Sequence, residues 1–501
     1  MLALAFSATT LGVDGRIIRV EADSAPGTPM FTIIGLPDRA LAESRDRVRA
    51  AICNAGFVFP AGRLLVNLAP ADLRKTGPSF DLPLTLALLA IDEQIPRSVL
   101  ATYASFAELA LDGTARGVSG VLPMVIGAKE AGLQKIIVAR ANADEAALVA
   151  GMEIYAIDHL SDAVAILLGH GQRFVHVPSE RHEIVLSDGD FSEVAGQAIA
   201  KRAFEIAAAG GHNLLLVGPP GCGKTMLARR FPSILPPMTD AEALGVTAVY
   251  SAAGAFDRTV GLVRTRPFRA PHHTITQQAL VGGGSIPRPG EASLAHHGVL
   301  FLDELPEFGR STLEALRQPA EEGRVTISRS AGTISYPAQF TLLVAMNPCP
   351  CGMRGSRQHD CRCDDQAIAR YRQKLSGPLL DRIDLTIEVR RLSLNVLENP
   401  AATEPSVAIR ARVHAARELQ EARHPGKLNA RIAPSVLRSP ESISASALSM
   451  AMQVSERAQL SARAFDRLLR VARTIADLAG NALVQDDHIA EACTYRANIN
   501  R

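Results

Sequence analysis

The sequence predicts an α/β protein of several domains, and three observations lead to this fold class. Short β-rich runs alternate with helical stretches through about the first 170 residues. A further apolar run, Leu214–Val217, passes directly into a glycine-rich loop and then a helical segment, which makes a strand–loop–helix unit. The chain of 501 residues is long enough for roughly two to four domains with cores of their own.

The first domain is predicted from the alternation of strand and helix patterns. The expected strands include Arg16–Val20, Phe31–Ile34, Arg63–Asn67 and Lys135–Val138, and the expected helices include Ala40–Ala55 and Pro83–Ala90. Polar, irregular sequence follows and reads as a linker. We expect a first α/β domain at 1–172, a linker at 173–190, a second α/β domain at 191–394 and a helical C-terminal domain at 395–501.

The loop after the central apolar run has the composition of a phosphate-binding loop. It consists of Gly218, Pro219, Pro220, Gly221, Cys222, Gly223, Lys224 and Thr225. Its glycines let main-chain N–H groups turn toward a phosphate chain without Cβ clashes. Lys224 is placed to reach the β- and γ-phosphates, and the Thr225 hydroxyl to ligate Mg²⁺. The helix that follows directs its positive end at the same anion. The loop therefore predicts a nucleotide site.

Polar residues follow two later apolar strands. Asp303 ends one strand and is placed to hold Mg²⁺ through water, while Glu304 is placed to orient and deprotonate an attacking water molecule. The alternative is a buried strand followed by an ordinary helix cap. The other strand, Phe340–Met346, ends in Asn347, whose amide suits a sensor of the γ-phosphate. The alternative for Asn347 is a turn-forming residue before a proline.

Five stretches of sequence carry a resemblance to a known family. They are Phe31–Asp38, Val66–Asp72, Arg269–Thr274, His296–Glu304 and Asn347–Gly352. With the motifs above, they make the chain resemble the magnesium-chelatase-like AAA+ ATPases, in particular the ComM/YifB family, over essentially its whole length. The resemblance implies a phosphate-loop ATPase core with a helical lid, using ATP and Mg²⁺. It also implies a hexameric ring that drives branch migration of DNA in recombination and natural transformation.

The same resemblance implies roles for downstream arginines. Arg382 takes the place of the arginine that faces the next subunit's nucleotide in ring ATPases and neutralises transition-state charge there. The alternative is an internal ion pair with a neighbouring aspartate. Arg463 takes the position of the second sensor, for which Arg467 and Arg470 compete. The resemblance also places 194–197 near the adenine.

The first domain resembles the proteolytic domain of Lon-type proteases, a ribosomal-S5-like α/β fold. The resemblance rests on Thr76–Asp81, Gly117–Pro123 and Ala128–Gly132. Ser79 falls on the family's catalytic serine, but the element with the catalytic lysine is missing and Lys129 lies a turn too late. A serine without an activating base is a weak nucleophile, so peptidase activity is not expected. Similar domains on recombination ATPases imply a part in assembly or DNA contact.

A cysteine pattern follows the third strand. Cys349, Cys351, Cys361 and Cys363 form C-x-C-x9-C-x-C within fifteen residues. Four thiols so close in sequence suit tetrahedral Zn²⁺. We expect a structural zinc site, with four free thiols as the alternative and His359 as a substitute ligand.

Two insertions are candidates for DNA contact. Gly282–Gly290 is too rich in glycine and proline for a helix and predicts a mobile or kinked loop. Arg324–Tyr336 predicts a β-hairpin with Arg329 near its tip. In related ring helicases both elements point into the pore, where Arg329 repeated around a ring would form a belt of charge. The alternative is a surface hairpin. The basic stretch Arg264–His273 either adds to this path or pairs with acids.

Composition argues against several classes of protein. The formal net charge is +2, so DNA contacts must come from local patches. No apolar run reaches the length of a membrane span, and the N-terminus lacks the basic region of a signal peptide. Seven cysteines, an odd number, argue against a secreted disulfide framework. We expect a cytoplasmic protein without a membrane partner.

Three functions remain open at this point. An ATP-driven DNA translocase or branch-migration helicase is favoured. A magnesium-chelatase motor subunit acting on a protein partner would not need the first domain or the cysteine pattern. A scaffold switched by nucleotide would not need Glu304, Asn347 and Arg382 together.

Overall fold

Two α/β domains and a helical C-terminal domain make up the described part of the chain. The computed structural model describes residues 2–36, 38–75, 77–175, 189–284, 287–329, 332–354, 360–375, 377–392 and 403–496. The predicted α/β class is confirmed. Most of the predicted linker, 176–188, lies outside these ranges.

The first domain is built on a seven-stranded sheet. Its strands are β1 (Leu2–Leu11), β2 (Asp14–Ala25), β3 (Met30–Ile34), β4 (Arg63–Ala69), β5 (Tyr103–Phe106), β8 (Lys135–Ala139) and β9 (Glu153–Ile157), with a small separate pair, β6 (Glu108–Leu109) and β7 (Ala115–Arg116). Its helices are α1 (Arg39–Asn54), α2 (Asp81–Ile91), α3 (Arg97–Leu100), α4 (Val121–Glu130), α5 (Ala143–Ala147) and α6 (Leu160–Leu167). The strand order is β3-β4-β2-β1-β5-β8-β9. Every residue of α2 is buried, because this most apolar segment forms the centre of the domain's core.

The second domain holds a five-stranded parallel sheet with order β11-β14-β17-β10-β18. These strands are β10 (Leu214–Val217), β11 (Phe268–Arg269), β14 (Val299–Leu302), β17 (Thr341–Met346) and β18 (Leu385–Glu388). Two short antiparallel pairs lie outside the sheet: β12 (Gly282–Gly283) with β13 (Arg288–Pro289), and β15 (Arg324–Arg329) with β16 (Gly332–Pro337). The helices are α7 (Ala198–Gly210), α8 (Lys224–Arg230), α9 (Asp240–Ala253), α10 (Gln277–Val281), α11 (Glu291–Leu294), α12 (Arg310–Ala315), α13 (Arg317–Glu322), α14 (Asp365–Gln373) and α15 (Gly377–Leu380). Parallel strands buried on both faces read as continuous apolar runs, which explains their clear sequence signal.

Five α-helices lie in the described part of the C-terminal domain, 403–496. They are α16 (Ser406–Arg423), α17 (Pro434–Leu437), α18 (Ala445–Arg457), α19 (Ala462–Leu478) and α20 (Asp486–Thr494). The amphipathic helix α19 packs between its neighbours and shares a hydrophobic core with α7 and β10. Within the described ranges, no helix has the length and apolar character needed to cross a membrane.

The first two domains contact each other at two places. Helix α9 packs on α4, and the Ser251 hydroxyl donates to the buried carboxylate of Glu145. Burial raises the pKa of Glu145. At the second place, the turn between β1 and β2 rests on strand β16. Gly12 has a φ of +73°, and a Cβ atom there would lie 2.4 Å from the Ser335 carbonyl oxygen.

The two insertions differ in how well the sequence predicted them. The hairpin over Arg324–Tyr336 is confirmed, with Arg329 opposite Gly332. The prediction of a loop at Gly282–Gly290 is corrected, because its ends pair as β12 and β13 and short helices flank it. The two pairs touch, since the Tyr336 hydroxyl donates to the Pro287 carbonyl at 2.8 Å.

Asp477 forms the polar centre of the C-terminal domain, and its loss should be costly. Its carboxylate accepts from Arg473 at 2.9 Å and from Asn429 at 2.7 Å, and both side chains of the Asp477–Arg473 pair are 2% exposed. Asp477→Ala leaves a buried guanidinium without its counter-charge, so we expect a loss of about 3–5 kcal/mol in the free energy of unfolding of this domain. Urea unfolding of the full chain, followed by circular dichroism, measures it.

The matched control is Asp158→Ala, which breaks the Arg140–Asp158 pair, at 2.6 Å but with both side chains more than half exposed. That change should cost less than about 1 kcal/mol. Equal losses in the two variants would contradict the assignment of a buried centre at Asp477.

Candidate active site

The phosphate loop follows the strand β10 and ends where α8 begins. The N–H of Gly218 donates to the Met346 carbonyl at 3.2 Å, which ties the loop to the neighbouring strand. A Cβ atom at Gly218 would lie 2.3 Å from the Val389 carbonyl oxygen. Gly221 and Gly223 have φ angles of +73° and +94°, in the left-handed region that glycine tolerates best. The loop conformation thus requires glycine at these three positions.

Lys224 and Asn347 meet at the floor of this loop. The ammonium of Lys224 donates to the carbonyls of Gly218 at 2.7 Å and Pro219 at 3.0 Å. It also donates to the side-chain Oδ1 of Asn347 at 3.1 Å. Lys224 is only 8% exposed, so this cation is held in a defined position beside the loop. A lysine so placed is available to the terminal phosphates of a nucleotide.

Thr225 and Asp303 face each other across the site. The Thr225 hydroxyl donates to Asp303 Oδ2 at 2.6 Å, and the N–H of Glu304 donates to Asp303 Oδ1 at 2.9 Å. Hydroxyl and carboxylate oxygens are the ligands that Mg²⁺ prefers in proteins. The two residues therefore fit the predicted magnesium site, one from the start of α8 and one from the end of β14.

Glu304 has an unusual main chain for its residue type. Its φ and ψ are +52° and +47°, a left-handed conformation that costs about 1–3 kcal/mol for residues other than glycine. The side chain is 60% exposed, and His273 Nδ1 lies 3.7 Å from its Oε2. Such strain is concentrated at functional sites. The Glu304 carboxylate is therefore exposed to the site. A base that accepts a proton from water would have to be exposed in this way.

These residues line one cavity of about 440 Å³. Its lining comprises residues 220–226, Asp303, Glu304, Met346 and Asn347. The volume is in the range of sites for small ligands and cofactors. The structure therefore brings together the phosphate loop, both acids and the amide that the sequence predicted separately.

Comparison with known proteins agrees with this geometry. Three family profiles match in order: "Subunit ChlI of Mg-chelatase" over 20–142, "Magnesium chelatase, subunit ChlI" over 190–397 and "Magnesium chelatase, subunit ChlI C-terminal" over 403–496. The competence protein ComM of Haemophilus influenzae is 43% identical over 99% of this chain and 98% of its own. The uncharacterized protein YifB of Escherichia coli is 44% identical over 99% of this chain and 97% of its own. The chain belongs to the ComM/YifB family.

A more distant relative shares only part of the chain. The magnesium-chelatase 67 kDa subunit of Chlorobaculum parvum is 27% identical over 32% of this chain and 23% of its own. The match to the ComM and YifB relatives therefore includes the first domain and the C-terminal helices, whereas this relative matches about a third of the chain. The magnesium-chelatase-like AAA+ character of the family suggests ATP and Mg²⁺ as ligands of the cavity.

The arginines with family-implied roles lie outside the described lining of the cavity. Arg382 is 14% exposed at its side chain, and its guanidinium pairs with Glu321. Arg463 is exposed on the first turn of α19. Arg467, by contrast, is buried and donates to the Ile383 carbonyl at 3.1 Å, in the segment that carries Arg382. The roles given to Arg382 and Arg463 stay predictions.

The three arginines of the basic stretch Arg264–His273 form ion pairs with acidic side chains. Arg264 pairs with Asp240 at 2.7 Å, Arg266 with Glu242 at 3.1 Å and Arg269 with Glu291 at 2.6 Å. The pairing with acids that the sequence allowed is observed, and a part of this stretch in a DNA path stays a prediction. His273 belongs to the same stretch, yet its imidazole lies beside the carboxylate of Glu304. The string Arg269–Thr274 resembles the family, but nothing in it indicates that position.

The four cysteines of the predicted zinc site converge. Their Sγ atoms all lie within 4.8 Å of one another, with Cys349–Cys351 at 3.4 Å and both of these 3.6 Å from Cys361. The edge of a tetrahedron with Zn–S bonds of about 2.3 Å is about 3.8 Å, so the four thiols fit zinc. The N–H groups of Met353 and Arg362 lower the pKa of Cys351 to about 6. His359 lies outside the described residues.

Further predictions fall elsewhere in the fold. Ser79 is 3% exposed in a short turn before α2, and Lys129 donates to the Ala150 carbonyl at 2.7 Å. Gln197 donates to the Arg390 carbonyl at 2.6 Å, and the adenine role of 194–197 stays a prediction. The side chain of Arg329 is not among those that the structure describes, although its main chain pairs within the hairpin.

Loss of the Lys224 ammonium should weaken nucleotide binding. Each charge-assisted hydrogen bond to a phosphate contributes about 1.5–3 kcal/mol, so Lys224→Ala should lower the affinity for ADP at least about tenfold. Titration with a fluorescent ADP in excess Mg²⁺ measures the affinity. Lys129→Ala is the matched control, since that ammonium binds a surface carbonyl of the first domain, and its affinity should equal that of the unaltered chain. Unchanged binding by Lys224→Ala would contradict the site.

Proposed function

We propose that this protein is an ATP-hydrolysing ring motor that acts on DNA. The observation that carries the proposal is the single cavity in which Lys224, Thr225, Asp303, Glu304 and Asn347 meet. A site with only a nucleotide cradle would serve a switch. The exposed carboxylate of Glu304, next to the magnesium ligands, supports turnover instead.

The proposed reaction is attack of water on the γ-phosphorus of ATP, which breaks the bond from that phosphorus to the β–γ bridging oxygen and releases ADP and inorganic phosphate. The main-chain N–H groups of 218–225 and the Lys224 ammonium bind the phosphate oxygens. Thr225 and Asp303 would hold Mg²⁺, which supplies charge neutralisation at the β- and γ-phosphates. Glu304 accepts the proton of the attacking water, and Asn347 holds that water in line. Lys224 exchanges its hydrogen bonds to the loop for phosphate oxygens when ATP binds.

A neighbouring copy of the chain completes the proposed site. Phosphoryl transfer leaves charge on the transferring group, and an arginine from the next subunit neutralises it in ring ATPases. We assign this role to Arg382 and the second sensor to Arg463, on the family resemblance. A hexamer follows from the same resemblance. Arg467, buried against the segment that carries Arg382, would link a movement of α19 to a movement of that arginine.

The proposed substrate is branched or single-stranded DNA. One full-length relative is named a competence protein, which supports a part in natural transformation. We assign the branch migration of recombination intermediates on the family resemblance. Within this chain, the hairpin β15–β16 carries Arg324 and Arg329, and the pair β12–β13 beside it carries the exposed Arg288. Repeated around a ring, such cations would bind phosphates without reading sequence. We also propose that the protein is located in the cytoplasm.

The chelatase alternative has a specific observation on its side, since all three matching profiles describe a magnesium-chelatase subunit. The extent of the matches favours DNA. The ComM and YifB relatives cover 99% of the chain, whereas the magnesium-chelatase 67 kDa subunit covers 32% of it. A motor acting on a chelatase partner would be indifferent to DNA, which makes the two functions separable by one assay.

We also propose that the four cysteines hold a structural Zn²⁺. The thiolate set, its spacing and its near-tetrahedral separations support this assignment. In a reducing compartment the thiols would not be consumed by disulfides.

The proposed function predicts a split between binding and turnover. Glu304→Gln keeps a side chain of the same size but cannot accept a proton, so it should bind ATP normally and lose about 100-fold or more in turnover. Branched DNA should stimulate the ATPase of the unaltered chain, and Arg329→Ala should weaken DNA binding. Steady-state ATPase assays and DNA binding at two salt concentrations measure these effects.

Arg140→Ala is the control for Arg329→Ala, because it removes an exposed arginine from the first domain. An ATPase that ignores DNA, together with DNA binding unaffected by Arg329→Ala, would reject the DNA motor. Normal turnover by Glu304→Gln would reject the assignment of the base.

The zinc proposal predicts about one equivalent of Zn²⁺ per chain in the purified protein. Cys349→Ser with Cys361→Ser should abolish it, and Cys53→Ser, which changes an exposed cysteine outside the cluster, should leave it unchanged. Inductively coupled plasma mass spectrometry measures the metal. A content below about half an equivalent would count against the site.

A further inference from the structure

The loop that carries the four cysteines begins inside the candidate active site. It leaves β17 at Asn347, whose Oδ1 accepts from Lys224. It returns through Cys363 into α14, where Tyr371 is 8% exposed. Burial raises the pKa of the Tyr371 phenol to about 12, and the main-chain N–H of Asn347 opposes that shift. The start of the loop thus carries the proposed γ-phosphate sensor, and Tyr371 of α14 lies near it.

The same loop rests on the phosphate loop. Gly352 has a φ of +77°, and a Cβ atom there would lie 2.5 Å from Cδ of Pro220 and 3.8 Å from Cγ of Asn347. The N–H of Gly352 donates to the Cys349 carbonyl at 2.9 Å. Glycine is required for both the backbone conformation and the close approach. The contact with Pro220 thus lies within three residues of two of the cysteines, Cys349 and Cys351.

A bound metal would fix this contact. Without a metal, Sγ atoms 3.4–3.6 Å apart share protons in S–H···S hydrogen bonds. A divalent cation displaces those protons and replaces these weak bonds with metal–sulfur bonds. Metal–sulfur bonds join the two arms of the loop and so restrict its conformations. The packing of Gly352 on Pro220 then costs less conformational entropy. Metal binding and the ordered phosphate loop therefore favour each other.

We propose that the metal held by the four cysteines controls nucleotide affinity, by keeping Gly352 on Pro220 and Asn347 on Lys224. This inference rests on the proposed ATP and zinc sites and adds a coupling between them. Because coupling between two bound ligands is reciprocal, nucleotide must also strengthen metal binding by the same factor. The cysteine loop then contributes to nucleotide binding at the ATP site and does not only stabilise the fold.

The first test uses the full chain with saturating Mg²⁺ and a zinc-selective chelator. Zinc removal should weaken fluorescent ADP binding at least about fivefold, and added Zn²⁺ should restore it. In the reciprocal experiment, at equilibrium, ADP should raise the chelator concentration that removes half of the zinc at least about fivefold. Equal ADP affinity with and without zinc, or zinc loss indifferent to ADP, would overturn the inference.

Variants distinguish the effect of the metal on ADP affinity from the effect of the contact between Gly352 and Pro220. Cys363→Ser should lower zinc content and ADP affinity together, while Cys363→His, which keeps a zinc ligand, should recover both. Cys53→Ser should change neither. Gly352→Ala should keep its zinc yet bind ADP at least about fivefold more weakly, because its methyl group displaces Pro220. This variant also serves if Cys363→Ser does not fold.

The outcomes distinguish this inference from the function on which it rests. An unaltered chain that binds no ADP would reject the proposed ATP site itself. A chain that binds ADP but holds no zinc would reject the zinc site and the coupling, and leave the ATPase standing. Gly352→Ala with full zinc and full ADP affinity would overturn the coupling alone.

Discussion

Main-chain hydrogen bonds between β10 and its two neighbours, β17 and β18, hold the phosphate loop at the edge of the second sheet. The register pairs Val217 with Met346 on one side and with Glu388 on the other. On the far side of β17, Leu302 pairs with Val344. Because all these strands are parallel, their carboxyl ends share one edge. A slip of one residue in this register would turn every side chain of the slipped strand to the opposite face and dismantle the cavity.

The sequence predicted those parts of the site whose chemistry is local. Glycine spacing indicated the phosphate loop, and apolar runs indicated the strands, so Thr225 and Asp303 could be expected at one sheet edge although 78 positions separate them. The strands of the first domain followed from the same patterns. These signals depend on a few neighbouring residues, and burial on both faces makes them strong.

Other features depend on the path of loops, which no local pattern encodes. The position of His273 beside Glu304 and the contact of Gly352 with Pro220 both arise from how separate loops cross the sheet edge. The ion pair between Arg266 and Glu242 joins residues 24 positions apart, on different elements. The ends of Gly282–Gly290 form strands because they pair with each other and pack on the hairpin, and this tertiary contact overrides their composition.

The contact at Gly12 has a consequence for exchanging parts between proteins of this kind. The turn between β1 and β2 approaches Ser335 so closely that a side chain at position 12 has no room. A first domain grafted from a relative must therefore bring a glycine at this turn, however well the rest of its surface matches. The hairpin strand therefore also contacts the first domain directly at this point.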